Sequence, residues 1–116
     1  MPKALPVIDI SAPICCAPIS ASPPMSEGSA VELALRLKAL ADPARIRIVS
    51  ILMNADDVRS GDLAAQLGLS EATISHHLSQ LRKAGLVSSE RRGMSVHSSA
   101  NRDALDALRS VLNTCC

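Results

Sequence analysis

The sequence contains no Phe, Tyr or Trp. A hydrophobic core must therefore be built from aliphatic side chains, and these are plentiful because 47% of the 116 residues are hydrophobic. Proteins that read single-stranded nucleic acid commonly stack the bases on aromatic rings. The absence of such rings argues against an RNA-recognition sheet or an OB-fold, whereas duplex DNA stays open as a ligand.

Long apolar segments are also missing. No run approaches the ~20 residues that cross a bilayer, and prolines and Asp9 interrupt the N-terminal stretch where a signal peptide would have its apolar core. We therefore expect a cytoplasmic protein with no membrane partner. In a reducing compartment, two adjacent cysteine pairs favour thiolates that bind a soft metal or metalloid over structural disulfides.

Proline divides the chain into two parts. Six of the seven prolines lie in residues 1–26, where no helical period of apolar residues survives. We expect a flexible, Pro-rich arm over residues 1–26 that carries one cysteine pair. A single folded domain is expected over residues 27–116.

The second part carries the start and stop signals of five helices. A helical pattern begins at Glu27, Asp42 and Pro43 begin a second helix, Ser60 and Ser70 are candidate N-caps, and a last helix follows Asn101. The first helix has enough apolar residues for burial on more than one side, which favours a dimer interface. The predicted inward residues of the second helix are Ile46, Val49, Ile51, Leu52 and Met53.

A helix-turn-helix followed by a hairpin is predicted between Ser60 and Ser99. The third helix ends at Gly68, and the fourth has a buried stripe of Ile74, Leu78 and Leu81 before Gly85 stops it. A polar stretch around Gly93 then favours a two-stranded hairpin, the wing. The expected fold is mainly α: a winged helix-turn-helix with five helices and a two-stranded wing.

In this arrangement the second helix of the motif enters the major groove of duplex DNA. Segment 71–92 carries four Lys or Arg residues against two Glu, although the whole chain has a formal charge of only +1. The solvated surface of an ordinary helix is the alternative, and His77 is expected to pack rather than touch DNA. The predicted DNA-contact residues are Thr73, Ser75, His76 and Gln80 on the helix, with Arg91 and Arg92 on the wing.

Two segments resemble the ArsR/SmtB family of winged-helix, metal- and metalloid-responsive repressors, in particular its arsenic-responsive type. LADPARIRIV at residues 40–49 is similar to the entry of the family's second helix, and LGLSEATISHHLSQLRKAGLV at residues 67–87 resembles its recognition helix. The resemblance covers about residues 30–113. It implies a homodimer joined by the first and last helices that represses an operon for efflux or detoxification and leaves operator DNA when inducer binds.

The family's sensing sites differ in position, and two of them do not match this chain. Segment 58–63 of the third helix has no Cys, and the last helix has Asp103 and Asp106 but no His, which argues against a zinc sensor of that type. Relatives with an N-terminal Cys pair have another Cys where this chain has Ala55. Trivalent arsenic binds three thiolates, so the resemblance predicts that As(III) or Sb(III) is the inducer. The predicted ligands are Cys15 and Cys16 with one or both of Cys115 and Cys116, within one subunit or across the dimer.

Other uses of the cysteines stay open. Four thiolates also suit Zn or Cd, paired thiols can oxidise reversibly, and terminal cysteines can be unliganded tail residues. A small thiol enzyme, such as an arsenate reductase, is disfavoured because the chain has no Gly-rich anion loop and the arm gives no fixed pocket. We therefore expect that the protein is not an enzyme and has no obligatory cofactor.

Overall fold

The computed structural model describes residues 24–112. Within that range the chain forms helices and short strands in the order expected of a winged helix-turn-helix. The elements are α1 (Glu27–Leu40), α2 (Pro43–Met53), β1 (Val58–Arg59), α3 (Ser60–Leu67), α4 (Glu71–Lys83), β2 (Val87–Arg92), β3 (Ser95–Ala100) and α5 (Arg102–Leu112).

The N-terminus of α2 is capped by Asp42, as its sequence predicts. The Asp42 Oδ1 accepts hydrogen bonds from the backbone N–H groups of Ala44, at 2.8 Å, and Arg45, at 3.3 Å. Desolvation acts to raise the pKa of Asp42, but these two hydrogen bonds and the nearby charge of Arg45 outweigh it, so the pKa lies below its ordinary value. The carboxylate is therefore stabilised in its charged form.

Ser60 does not cap α3, contrary to the sequence-based prediction. It is the first residue of the helix, Arg59 occupies the cap position without a side-chain cap bond, and Ser60 is buried. Its Oγ donates to the backbone carbonyl of Val96 in β3, at 3.5 Å. The hydroxyl therefore joins α3 to the sheet. It bonds the distant carbonyl of Val96 instead of a backbone N–H in the first turn of its own helix, which is the bond that capping requires.

The C-terminus of α4 closes at Gly85, as predicted. Gly85 has φ +76°, its N–H donates to the carbonyl of Arg82, and the N–H of Leu86 donates to the carbonyl of Leu81. This pair of bonds is the Schellman motif, and Leu81 and Leu86, at the positions of its usual apolar pair, are both fully buried. The motif turns the chain from α4 directly into the sheet.

The sheet has three strands rather than the predicted two, in the order β1-β3-β2 with antiparallel pairs. The wing is the hairpin β2-β3, which turns at Gly93, φ +61°, between the paired residues Arg92 and Ser95. The added strand β1 pairs Val58 with Ser98 and Arg59 with His97. A two-residue strand has no sequence signature of its own, because only its distant partner defines it.

The core lies between the helices and the sheet, and its apolar side chains are all aliphatic, with the buried serines Ser60 and Ser98 beside them. Ile46 was expected in it but is 54% exposed. Ile46 and Ile48 are about 200° apart around a helix, and packing selects Ile48. The largest fully buried apolar side chains are Ile48, Leu52, Leu63, Ile74, Leu78, Leu81 and Leu86.

Helix α1 leaves much of its apolar surface uncovered. Val31 is 52% exposed and Leu35 is 58% exposed. A groove of about 280 Å³ separates α1 from α5, and its lining includes Met25, Leu33 and Val111. Within residues 24–112, no helix is both long and apolar enough to cross a membrane.

Candidate nucleic-acid interface

Helix α4 presents a polar surface opposite its buried stripe. Ser75 and His76 are exposed, and Thr73 and Gln80 are half-buried. Ile74, Leu78 and Leu81 hold the other side of the helix in the core. The four predicted contact residues of this helix therefore all keep some solvent access.

The N-terminus of α4 is fixed by Ser70, as predicted. The Ser70 Oγ accepts from the backbone N–H of Thr73 at 3.1 Å and donates to the Thr73 hydroxyl at 2.9 Å. Because the Thr73 oxygen accepts in the second bond, its own proton is free to donate to a ligand. The cap thus orients a donor at the helix end that enters the groove in a helix-turn-helix protein.

His77 is half-buried and packs within the domain, which confirms the prediction made from the sequence. Its Nδ1 accepts a hydrogen bond from the Nε of Arg45, at 3.1 Å, and Arg45 also reaches the carbonyl of Ala39 at 3.4 Å. An accepting Nδ1 requires the neutral tautomer with its proton on Nε2. Arg45 thereby connects the end of α1 and the start of α2 to the middle of α4.

A groove of about 400 Å³ separates α4 from the wing. Ser75 lines it from the helix, and Arg91 and Ser95 line it from the hairpin. Arg82 Nη1 donates to the Ser89 Oγ at 3.1 Å and ties the end of α4 to β2. Helix and wing therefore form one continuous surface with hydroxyl donors and a cationic side chain.

The two wing arginines differ in their surroundings. Arg92 is 53% exposed, and its guanidinium lies 2.7 Å from the Glu90 Oε1 and 3.2 Å from the Asp57 Oδ2. The hydrogen bond to Glu90, reinforced by the charge of Asp57, raises the pKa of Arg92 above its ordinary value. Arg91 is exposed and has no side-chain hydrogen bond or ion pair with the described residues.

Sequence reasoning missed Asp57 and His97. Asp57 lies in the loop between α2 and β1, and its Oδ1 is 3.4 Å from the Nδ1 of His97 in β3. The two residues are 40 positions apart, so no local pattern links them. Only the pairing of β1 with β3 brings them together.

All four cysteines lie outside the described residues, so the predicted thiolate site stays a prediction. In the part of the chain that the structure covers, no three His, Cys, Asp or Glu side chains are grouped as metal ligands. Ala55, where relatives are expected to have a Cys, accepts a hydrogen bond through its carbonyl from Arg102, at 3.4 Å.

A capped helix with an exposed polar surface, a bracing helix before it and a basic hairpin after it define a winged helix-turn-helix DNA-binding regulator. The family model described as "Bacterial regulatory protein, arsR family" matches residues 42–89. The chain belongs to the ArsR family.

Named relatives agree with this assignment. The transcriptional repressor SdpR of Bacillus subtilis is 36% identical over 77 residues, which are 66% of this chain and 84% of that protein. The cadmium resistance transcriptional regulatory protein CadC of Lactococcus lactis is 40% identical over 60 residues, or 52% of this chain and 50% of CadC. The solved structure of an ArsR-like transcriptional regulator from Rhodococcus sp. RHA1 matches with a TM-score of 0.62 at 33% identity, covering 70% of this chain and 76% of that one. The chain is thus a DNA-binding transcriptional regulator.

Proposed function

We propose that the chain is a repressor that binds operator DNA as a homodimer and is released when As(III) or Sb(III) binds cysteine thiolates. The proposed ligands come from two pairs, Cys15 with Cys16 and Cys115 with Cys116. The observation that carries the proposal is the presence of two vicinal thiol pairs in an ArsR-family sequence. Trivalent arsenic is a soft centre that prefers such ligands.

The operator surface is assigned to α4 and the wing. A major groove about 12 Å wide admits an α-helix, so the exposed side of α4 would face base edges and phosphates. The helix residues in this role are Thr73, Ser75, His76 and Gln80, and Arg91 on the wing would meet phosphate or the minor groove. Arg92 lies in the same hairpin, but its guanidinium is already paired with two carboxylates.

The homodimer is assigned to α1 and α5. Val31 and Leu35 are more than half exposed on α1, and such apolar surface favours a protein partner. We expect the double substitution Val31→Lys and Leu35→Lys to produce monomers in sedimentation equilibrium. Ile46→Lys is the matched control, since Ile46 is 54% exposed but lies on α2. A dimer that withstands the double substitution, or that Ile46→Lys disrupts, would contradict this interface.

The distances along the chain allow both cysteine pairs of one subunit to meet. Met25 and Val111 line the same groove between α1 and α5. The nine Cα–Cα steps from Cys16 to Met25 can span at most ~30 Å, and the four steps from Val111 to Cys115 at most ~13 Å. A thiolate site joining the arm to the last helix is therefore within reach, in the same subunit or across the dimer.

Inducer binding is proposed to act by population shift. Inducer bound by both cysteine pairs would link the arm to the residues that follow α5, and would favour a dimer whose recognition helices no longer match successive major grooves. Linkage then requires operator DNA to weaken inducer binding by the same factor by which inducer weakens DNA binding.

A cadmium or zinc site is the second candidate, because CadC is by name a cadmium resistance regulator. Four thiolates from the two pairs would give a tetrahedral site of the kind that suits Zn or Cd. Both candidates use the same residues and differ in the ion.

Fluorescence anisotropy of a labelled duplex, selected by the protein from random-sequence DNA, distinguishes these functions. The complex is titrated in oxygen-free buffer with sodium arsenite, with cadmium chloride and with hydrogen peroxide in separate arms. Arsenite should release the duplex at near-stoichiometric concentration. Release by cadmium alone would indicate a cadmium or zinc sensor instead of an arsenic sensor. Release by peroxide alone would indicate a redox sensor. Failure to select any duplex would contradict the repressor function itself.

A further inference from the structure

Asp57 connects the wing to the body of the domain at two points. Its Oδ2 lies 3.2 Å from the Nη1 of Arg92, and its Oδ1 lies 3.4 Å from the Nδ1 of His97. Arg92 is the last residue of β2 before the turn, and His97 lies in the middle of β3, opposite Glu90 on one side and Arg59 on the other. One carboxylate thus reaches both strands of the hairpin.

The loop that carries Asp57 is itself fixed from the opposite side. The Nη2 of Arg102, the first residue of α5, donates to the carbonyls of Met53 at 3.1 Å and Ala55 at 3.4 Å. The loop therefore contacts α5 through its backbone and the wing through its side chain. Together with the pairing of β1 with β3, the two Asp57 contacts restrict the tilt of the hairpin.

We propose that Asp57 and Arg92 are positioning residues that set the wing for DNA, and that Arg91 is the wing cation that contacts phosphate. This inference rests on the operator interface proposed above. Arg92 is paired with two carboxylates that offset its charge, which weakens its attraction for a phosphate. Arg91, next to it on the strand, has no such partner among residues 24–112 and lines the groove that faces α4.

The salt dependence of DNA binding separates contact from positioning. Each phosphate neutralised by a protein cation contributes about 0.9 to the slope of log K against log salt concentration. Arg91→Ala should reduce the slope by about 0.9 for each Arg91 in contact. Arg92→Ala should leave the slope unchanged and lower affinity about two- to five-fold for each wing, the range expected for losing an exposed ion pair. The probe is the duplex selected by the wild-type dimer, measured from low to high potassium chloride.

A charge-matched pair of substitutions tests the role of Asp57. Asp57→Ala and Glu90→Ala each remove one carboxylate from Arg92, but only the first cuts the connection to the loop, because Glu90 is on the same strand as Arg92. Asp57→Ala should weaken DNA binding as much as Arg92→Ala does. The double variant Asp57→Ala/Arg92→Ala should bind no more weakly than either single variant. Glu90→Ala should bind the duplex as tightly as wild type or more tightly.

Several outcomes would overturn the inference. A slope for Arg92→Ala that falls as far as for Arg91→Ala would make Arg92 a phosphate contact. Equal losses of DNA affinity for Asp57→Ala and Glu90→Ala would contradict the positioning role of Asp57. Additive losses in the double variant Asp57→Ala/Arg92→Ala would contradict it as well. Circular dichroism melting of each variant shows whether its domain is folded. If the wild-type dimer selects no duplex, the operator interface fails instead, and that result is distinct from all of these.

Discussion

A glycine-to-alanine substitution should have opposite effects on stability at Gly85 and at Gly28. Gly85 ends α4 with φ +76°, and a Cβ built there meets no other atom within 4 Å. The cost of Gly85→Ala is therefore the backbone strain alone, about 1–2 kcal/mol for an L-residue in the left-handed region. Gly28 also has open space around a Cβ, but it lies within α1 and has no positive φ. Gly28→Ala should stabilise the protein by about 0.4–1 kcal/mol, since Ala lowers the entropy of the unfolded chain.

Thermal unfolding measures this contrast. A change of 1 kcal/mol shifts Tm by roughly 4–8 °C in a domain of 60–100 residues, so the two variants should move Tm in opposite directions. Circular dichroism is the appropriate probe, because the chain has no aromatic residue for intrinsic fluorescence. Protein concentration must be held constant, since the proposed dimerisation would make Tm concentration-dependent. A Gly85→Ala variant as stable as wild type would refute the left-handed Schellman geometry, and equal losses at both positions would refute the conformational explanation.

Three other experiments test single contacts of the domain. Leu81→Ala should cost about 2–5 kcal/mol in urea unfolding, because it leaves a cavity at a fully buried site; a loss under 1 kcal/mol would contradict that burial. A double-mutant cycle with Arg45→Ala and His77→Ala should give a coupling of about 1 kcal/mol, and additive effects would mean that their hydrogen bond is not formed. The lowered pKa of Asp42 means that its charged form stabilises the fold above the ordinary value of 3.8 and that this stability is lost as pH falls through the folded-state pKa. Asp42→Asn should keep the cap, and melting measured as a function of pH should show that it loses less stability than wild type over that acid range. Parallel curves of Tm against pH for the two proteins would contradict the lowered pKa of Asp42.

Features set by neighbouring residues could be predicted from the sequence. The Ser70 cap, the turn at Gly93 and the buried stripe of α4 each depend on spacings of four residues or fewer, and the structure confirms them. The exposed contact candidates Ser75 and His76 followed from that stripe, because fixing one side of a helix fixes the other.

Features set by distant residues could not be predicted. Strand β1 exists only through its pairing with β3, and the Ser60 hydroxyl finds its partner at Val96, 36 residues away. In α2, apolar residues occur on more than one side, so packing alone decides that Ile48 is buried and Ile46 is exposed. Arg92 was predicted from its charge, yet its pairing with Asp57 depends on how the loop meets the wing.

The most direct test of the account is arsenite-driven release measured on a variant in which all four cysteines are serine. Anisotropy of the selected duplex should show that this variant binds DNA as wild type does, because the proposed operator surface lies on α4 and the wing. Wild type should leave the duplex at near-stoichiometric arsenite, and the variant should stay bound at the same concentrations. Equal release of both proteins, or no release of wild type at thiol-saturating arsenite, would contradict a sensor built from Cys15, Cys16, Cys115 and Cys116.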